Sequence, residues 1–374
     1  MKYINLGNTQ ELIPVLGQGT MGLGGYSACD RSNDQRDIRA LRTGIDMGMS
    51  LIDTAECYGA GHAEEIVGKA ISDIRKKVFV ATKVSPENLT FEGVRRSLES
   101  SLGRMRTDYI DLYQIHWPNP EILIDETISA LLSAVKEGKI RYLGVSNFLQ
   151  PEIQDIITAF GNGIFVSNQA EYSIFDRSIE GGLMQYCSQH DLTLLAYSPL
   201  DQGRITFAGE CYDLMHKLSL KYQKTIPQVI LNWLVIHKNV VALPKASSEK
   251  HIVENTESLD FLLTEEEYQM IDEKNVSKVV NIPVSKIEVV LDKVSPRKGC
   301  CTLEDAVSNK LGFCPSPLSM ARAIKLTGEI KPVRIVRAGN EPDDCIYILE
   351  EGIMRYWAWV LAFEGERDIP ALIR

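Results

Sequence analysis

LIDTAECYG, from Leu51 to Gly59, is a short apolar run that ends on the acid Asp53, with a phenol, Tyr58, five residues later. Two further runs share this design: VFVATKV (Val78–Val84) carries Lys83 near its end, and YIDLYQIHWP (Tyr109–Pro118) delivers His116. Bounded apolar runs of this length read as buried strands, and the C-terminal ends of strands are where a parallel α/β barrel gathers its catalytic groups. Asp53, Tyr58, Lys83 and His116 are therefore expected in one site. A free phenol, with a pKa of about 10, is a poor acid at neutral pH unless a nearby cation stabilises its phenolate. Lys83 is the expected cation, Asp53 its partner, and His116 the group that orients a carbonyl oxygen or relays the proton.

Working outward, strand and helix signals alternate. Apolar runs at 14–17, 51–53, 78–82, 109–115, 141–145, 164–168, 192–197 and 240–244 make eight candidate strands. Amphipathic segments at 34–47, 91–105, 125–137 and 226–237 have the pattern of crossover helices. The expected fold is an α/β (β/α)8 TIM barrel. A doubly wound dinucleotide-binding fold would need Gly-x-Gly-x-x-Gly after its first strand, and the glycines of GQGTMGLGG are wrongly spaced for it.

On these residues the chain resembles the aldo-keto reductase family. DTAECYG, ATKV and QIHWP carry the family's Asp, Tyr, Lys and His tetrad at Asp53, Tyr58, Lys83 and His116. GVSNF (Gly144–Phe148), NQAEYS (Asn168–Ser173), AYSPL (Ala196–Leu200) and LPKASSEKHIVEN (Leu243–Asn255) follow in the family's order, so the resemblance covers roughly residues 1–275. It implies an NAD(P)H-dependent oxidoreductase that reduces aldehydes or ketones to alcohols, with the tyrosine as general acid. It also implies that Ser146, Asn147 and Gln169 hold the nicotinamide carboxamide, that Tyr197 stacks on the ring, and that Ser198 and Leu200 meet the pyrophosphate. Lys245, Ser247, Ser248, His251 and Asn255 match the segment that holds adenine and the 2′-phosphate. His251 stands where Arg is common and Ala246 where Ser is common, which weakens the implied preference for NADPH over NADH. The plain alternative for this segment is a helix start capped by Ser247 or Ser248. Met21, Tyr26 and Trp117 are the candidates for lining the pocket of a small carbonyl substrate.

Composition limits the setting. The chain has 374 residues and a net charge of -10, which argues against non-specific nucleic-acid binding. No apolar stretch reaches the length of a membrane span, MKYINLGNTQ lacks the apolar h-region expected of a signal peptide, and eight cysteines in a chain this long are expected to be reduced thiols. A cytoplasmic location with no membrane partner is expected.

The charge is uneven: residues 277–374 hold 14 Lys and Arg against 13 Asp and Glu, so the excess acid lies earlier in the chain. This supports a barrel domain over 1–275, a linker over 276–285 and a small domain over 286–374. The order of 282–290, 331–336, 346–355 and 369–373 resembles the ParB/sulfiredoxin-like fold. That resemblance implies a phosphate-binding turn at Glu351, Gly352 and Arg355, although Ile353 and Met354 stand where relatives often carry Arg, His or Cys. Nucleotide, DNA or a partner protein is the corresponding ligand class. A regulatory protein that binds NADPH through the barrel and such a ligand through this domain is the alternative to an enzyme. Cys300, Cys301, Cys314 and Cys345 lack paired C-x-x-C spacing, so no metal site is expected. Trp357 and Trp359 read as core residues of the last helix.

Overall fold

The computed structural model describes residues 1–205, 209–274, 278–290, 302–309, 314–338 and 346–373. The chain divides into two compact units: Met1–Trp117 with Ile124–Phe175 and Gly181–Val276, and Ser277–Arg374 with the short segments Pro118–Leu123 and Asp176–Glu180.

The first unit opens with an antiparallel hairpin of β1 (Tyr3–Asn5) and β2 (Leu12–Pro14). Eight parallel strands follow: β3 (Gln18–Gly19), β4 (Leu51–Asp53), β5 (Phe79–Val84), β6 (Ile110–Ile115), β7 (Ile140–Ser146), β8 (Ser167–Glu171), β9 (Thr193–Tyr197) and β10 (Val240–Leu243). Each pairs with the next in chain order. The cylinder closes because the Ala242 N–H donates to Val15 O (2.9 Å) while the Gly17 N–H donates to Ala242 O (2.9 Å). The first strand was expected at 14–17. Pro14 instead ends the hairpin, and the residues after it pair with β10 on one side and β4 on the other. The strand expected at 164–168 lies three residues later.

Side chains alternate along each barrel strand, so every second residue faces inward. At the N-terminal ends these are Leu51, Phe79, Ala81, Leu112, Leu195 and Val241, packed with Leu6 and Ile13 of the hairpin into one apolar cluster. The hairpin is thus a floor. The same inward faces continue toward the C-terminal ends as Asp53, Lys83 and Gln114, so the apolar layer gives way to a polar one.

Helices cover the outside. Phe91–Met105 starts where expected, because the Thr90 side chain accepts the Gly93 N–H at 3.2 Å, an N-cap that satisfies one orphan donor. Ile226–Ile236 carries a capping box between Thr225 and Gln228, with Pro227 in its first turn. Below the barrel, the buried Asp111 carboxylate accepts from Arg75 (2.7 Å), Arg141 (2.6 Å) and the Val80 N–H (2.9 Å).

The second unit holds a mixed sheet in the order β11 (Val279–Ile282), β15 (Ile369–Ile373), β13 (Val333–Arg337), β14 (Tyr347–Glu351) and β12 (Ile287–Glu288). Helices Pro317–Thr327 and Ile353–Phe363 contribute to its core, with Trp359 buried and its indole N–H donating to Arg367 O (3.0 Å). The 276–285 stretch expected as a linker supplies strand β11. Within this unit Arg334, 2% exposed, pairs with Asp176 (3.0 Å) and Glu351 (2.7 Å). Cys300, Cys301 and Cys345 lie outside the described residues. Among the described residues no group of three His, Cys, Asp or Glu side chains is placed to hold a metal ion, and no helix is long and apolar enough to cross a membrane.

Candidate active site

Strand β4 ends on Asp53, whose backbone carbonyl accepts both the Thr20 N–H (3.0 Å) and the Thr20 hydroxyl (2.9 Å). Its side chain enters the barrel mouth. From the adjacent strand, Lys83 is fully buried and its ammonium donates to Asp53 Oδ2 (2.8 Å) and to Thr54 O (2.8 Å). The third direction of the ammonium meets the Tyr58 hydroxyl at 3.5 Å, with the phenol ring centre 5.1 Å away. Buried ammoniums need this degree of pairing to stay charged.

Tyr58 is placed by a tight turn. Gly59 has φ +58°, and a Cβ there would sit 2.5 Å from Gly24 O, so only glycine fits. The Gly59 N–H donates to Tyr26 O (2.7 Å), tying this turn to the loop that carries Met21 and Tyr26. Burial, and then the negative charge of Asp53, hold the Tyr58 phenol well above its usual range. The sequence suggested the opposite balance, with Lys83 pulling the phenol down. In the structure Lys83 is already committed to Asp53, and the resting phenol keeps its proton.

His116 follows β6. Its N–H donates to Val84 O (3.0 Å), its carbonyl accepts from Asn147 (3.1 Å), and its ring meets Tyr58 edge-on at 5.8 Å between centres. Burial and then the Lys83 charge push the imidazole down to about 3, so it is neutral across the physiological range. Cys57 Sγ lies 3.7 Å from its Nδ1. The four tetrad side chains thus converge on one mouth.

Asp53 Oδ1, the oxygen not used by Lys83, accepts from Gln169 (2.7 Å), and Gln114 approaches the same oxygen at 3.5 Å. Gln114 was not singled out from the sequence. Its signal was present: it lies two residues before His116 in a strand, and therefore on the inward face.

The amide cluster expected around the nicotinamide is also assembled. Ser146 Oγ donates to Gln169 O (3.1 Å), the Asn147 side chain donates to Ser146 Oγ (3.0 Å), and the Tyr197 hydroxyl donates to Asn147 Oδ1 (2.8 Å). Asn147 and Ser198 both have positive φ, +62° and +50°, and at Asn147 the side-chain ties just described sustain it. Leu200 ends this turn, its carbonyl accepting the Gly203 N–H at 2.8 Å. At the other end of the expected groove, Lys245 is exposed and Ser248 caps helix Glu249–Thr256 by accepting the His251 N–H at 3.3 Å. The plain capping role therefore holds for Ser248. Ser247 is half-buried, His251 exposed and Asn255 buried.

Of the pocket candidates, Met21 and Tyr26 are each 48% exposed and Trp117 is half-buried. The turn in the second unit differs from expectation. Arg355 folds back over Gly352 and donates to the carbonyls of Lys331 (3.1 Å) and Pro332 (2.6 Å), while Glu351 holds Arg334. One nitrogen of the guanidinium expected to face a phosphate, Nη1, makes both of these backbone bonds.

The neutral state of the half-buried His116 has a consequence for stability. An unfolded histidine, near 6.5, binds protons between about pH 6.5 and 3 that the folded one does not, so this group costs stability as pH falls through that window. Unfolding midpoints measured from pH 7 to 4 should fall less steeply in His116→Gln than in the parent, by at most about 1.4 kcal/mol per pH unit. Superimposable slopes would show that the imidazole is not held neutral.

The sequence model of the Aldo/keto reductase family matches residues 15–276. Methylglyoxal reductase YeaE of Escherichia coli (strain K12) is 35% identical over 283 residues, covering 75% of this chain and 95% of the relative. Among solved structures, the thermostable aldo-keto reductase Tm1743, in complex with the inhibitor epalrestat, superposes with a TM-score of 0.70 and 43% identity over 73% of this chain and 99% of that one. The aldo/keto reductase from Klebsiella pneumoniae, in complex with NADP and acetate, gives a TM-score of 0.68 and 37% identity over 73% of this chain and 95% of that one.

Proposed function

Since the chain belongs to the Aldo/keto reductase family, an oxidoreductase family, we propose that it reduces small aldehydes and α-dicarbonyls to alcohols with NADPH, Tyr58 giving the proton. The observation that carries this reading is the Lys83 ammonium shared between Asp53 and the hydroxyl of a protonated, half-buried Tyr58. The cofactor, when bound, supplies a hydride to the carbonyl carbon. Tyr58 hands its proton to the carbonyl oxygen as negative charge gathers there, and Lys83 stabilises the phenolate left behind. Neutral His116 orients that oxygen by hydrogen bonding and carries no charge that would oppose Lys83. Methylglyoxal, the substrate named for the Escherichia coli relative, is the first compound to assay.

The residues present suit NADPH. Ser146, Asn147 and Gln169 offer amide and hydroxyl groups for a carboxamide, and Tyr197 brings a ring held by its own hydroxyl. Lys245 offers an exposed ammonium beside a Ser-capped helix start, where a phosphate gains both charge and helix dipole. NADPH should therefore bind more tightly than NADH, and Lys245→Ala should remove much of the difference, since a charge-assisted contact is roughly twice as strong as a neutral one. Fluorescence titration of both proteins with both cofactors checks this. Equal affinities in the wild type sink it.

The same proposal assigns the second unit to the ParB/sulfiredoxin-like type, supported by β13, the passage from β14 through Gly352 into helix Ile353–Phe363, and the closing strand IPALI. A cytoplasmic setting belongs to this reading as well, in keeping with free thiols at Cys29, Cys57, Cys187, Cys211 and Cys314.

A further inference from the structure

His62 opens the helix His62–Ile71 directly after the Tyr58–Gly61 turn and is 1% exposed. Its Nε2 lies 2.7 Å from Asp34 Oδ1 and its Nδ1 2.8 Å from Glu65 Oε2. Hydrogen bonds from His62 and Lys69 hold Asp34 below the usual carboxylate range against the effect of its burial, and the bond from His62 does the same for Glu65. Ionised carboxylates only accept hydrogen bonds, so a ring nitrogen that carries a proton donates to the carboxylate it faces. Lys69 also pairs with Asp34 (3.2 Å) and Arg31 with Glu65 (3.1 Å), and Asp30 lies close enough for its charge to be felt at the ring.

The two bonds differ in what they join. Glu65 is on the same helix as His62, three residues on, so that bond is local. Asp34 begins the helix at the far end of the loop that carries Met21 and Tyr26, so that bond crosses from the Tyr58 turn to the pocket loop. The loop is layered between them. A Cβ on Gly24 would meet His62 Cδ2 at 2.7 Å, Gly24 O abuts Gly59, and Tyr26 O accepts the Gly59 N–H.

We propose that His62 is a positioning residue for carbonyl reduction: through Asp34 it clasps the pocket loop against the turn that carries Tyr58, fixing Tyr26 relative to the reacting hydroxyl. This rests on the assignment of Tyr58 as the acid. The ring touches neither substrate nor cofactor. It acts through the loop, and its loss should appear in KM for the carbonyl more than in cofactor affinity.

Two substitutions separate the clasp from general support of the helix. In His62→Gln the amide nitrogen falls near the position of Nε2 and can still reach Asp34. In His62→Asn it falls near Nδ1 and reaches only Glu65. With methylglyoxal and NADPH, the Asn variant should lose about tenfold in kcat/KM, chiefly by raised KM, the size of one lost bond to a charged group. The Gln variant should stay within about threefold on the same scale, and both should bind NADPH like the parent. Amide hydrogen exchange over residues 22–30 should be faster in the Asn variant than in the Gln variant. Equal kcat/KM in the two variants, or equal exchange over the loop, overturns the proposal. If the parent itself reduces no aldehyde, the reading of Tyr58 has failed, and the exchange comparison still decides the clasp. Should the Asn variant not fold, Asp34→Asn tests the same bond, with loosening of the loop expected and an unchanged loop contrary to it.

Discussion

Tyr58→Phe should retain less than about one hundredth of wild-type carbonyl reduction, because a positioned general acid contributes 10²-fold or more. The substitution removes one oxygen and little else. The ring keeps its edge contact with His116 and its place 5.1 Å from the Lys83 ammonium, so the turn and the barrel mouth have no reason to move. NADPH affinity should be nearly unchanged, since the groups assigned to the cofactor lie on the strands and loops from Ser146 onward. Turnover with methylglyoxal and a fluorescence titration with NADPH, made on the same preparation, check both halves. Retention of more than a tenth of the turnover would mean that the proton comes from another group.

Lys83→Met should be costly in two ways. Methionine matches the length of the lysine stem but leaves Asp53, 4% exposed, without its cation. Removing one partner of a buried pair costs about 3–5 kcal/mol. Asp53 keeps Gln169 as a donor, which places the expected loss toward the lower end of that range. Turnover should fall with it, because the phenolate formed at Tyr58 loses the charge 3.5 Å away. The double variant Lys83→Met, Asp53→Asn removes both charges and should recover most of the stability and none of the activity. Denaturant unfolding of the two variants measures the coupling. A single variant that loses less than about 1 kcal/mol, well short of the cost of an orphaned buried charge, would show that the pair is not buried as described.

The barrel was legible because parallel strands covered by helices are nearly continuous apolar runs, and three of the runs here lead directly to a residue that can do chemistry. Asp53, Lys83 and His116 were readable on that ground. What the runs do not show is pairing. The stretch Pro14–Gly17 has the composition of a strand, yet which neighbour its residues join is decided by the hairpin before it and by β10, more than two hundred residues later. The direction of the Tyr58 titration shift was also out of reach, because it depends on how completely the phenol is enclosed and on where Lys83 spends its charge. His62 was missed since its two carboxylate partners stand at positions 34 and 65, and no local pattern links the first of them to the ring. Arg355 misled for a related reason: a first-turn arginine has the same sequence whether it faces solvent or folds back onto Lys331 and Pro332.

The apolar floor sets an order on how this chain can reach its native state. Leu6 and Ile13 precede every barrel strand in the chain, but they pack against Val166, Leu195 and Val241. The Gly7 N–H waits for the Thr193 hydroxyl, 186 residues away. The hairpin therefore lacks its complete native surface until most of the barrel has been made. Contacts of such sequence separation pay their loop-closure entropy before any burial rewards it, which slows folding and leaves two apolar side chains uncovered in the interval. The base of this barrel comes before its strands in the chain and is seated after them.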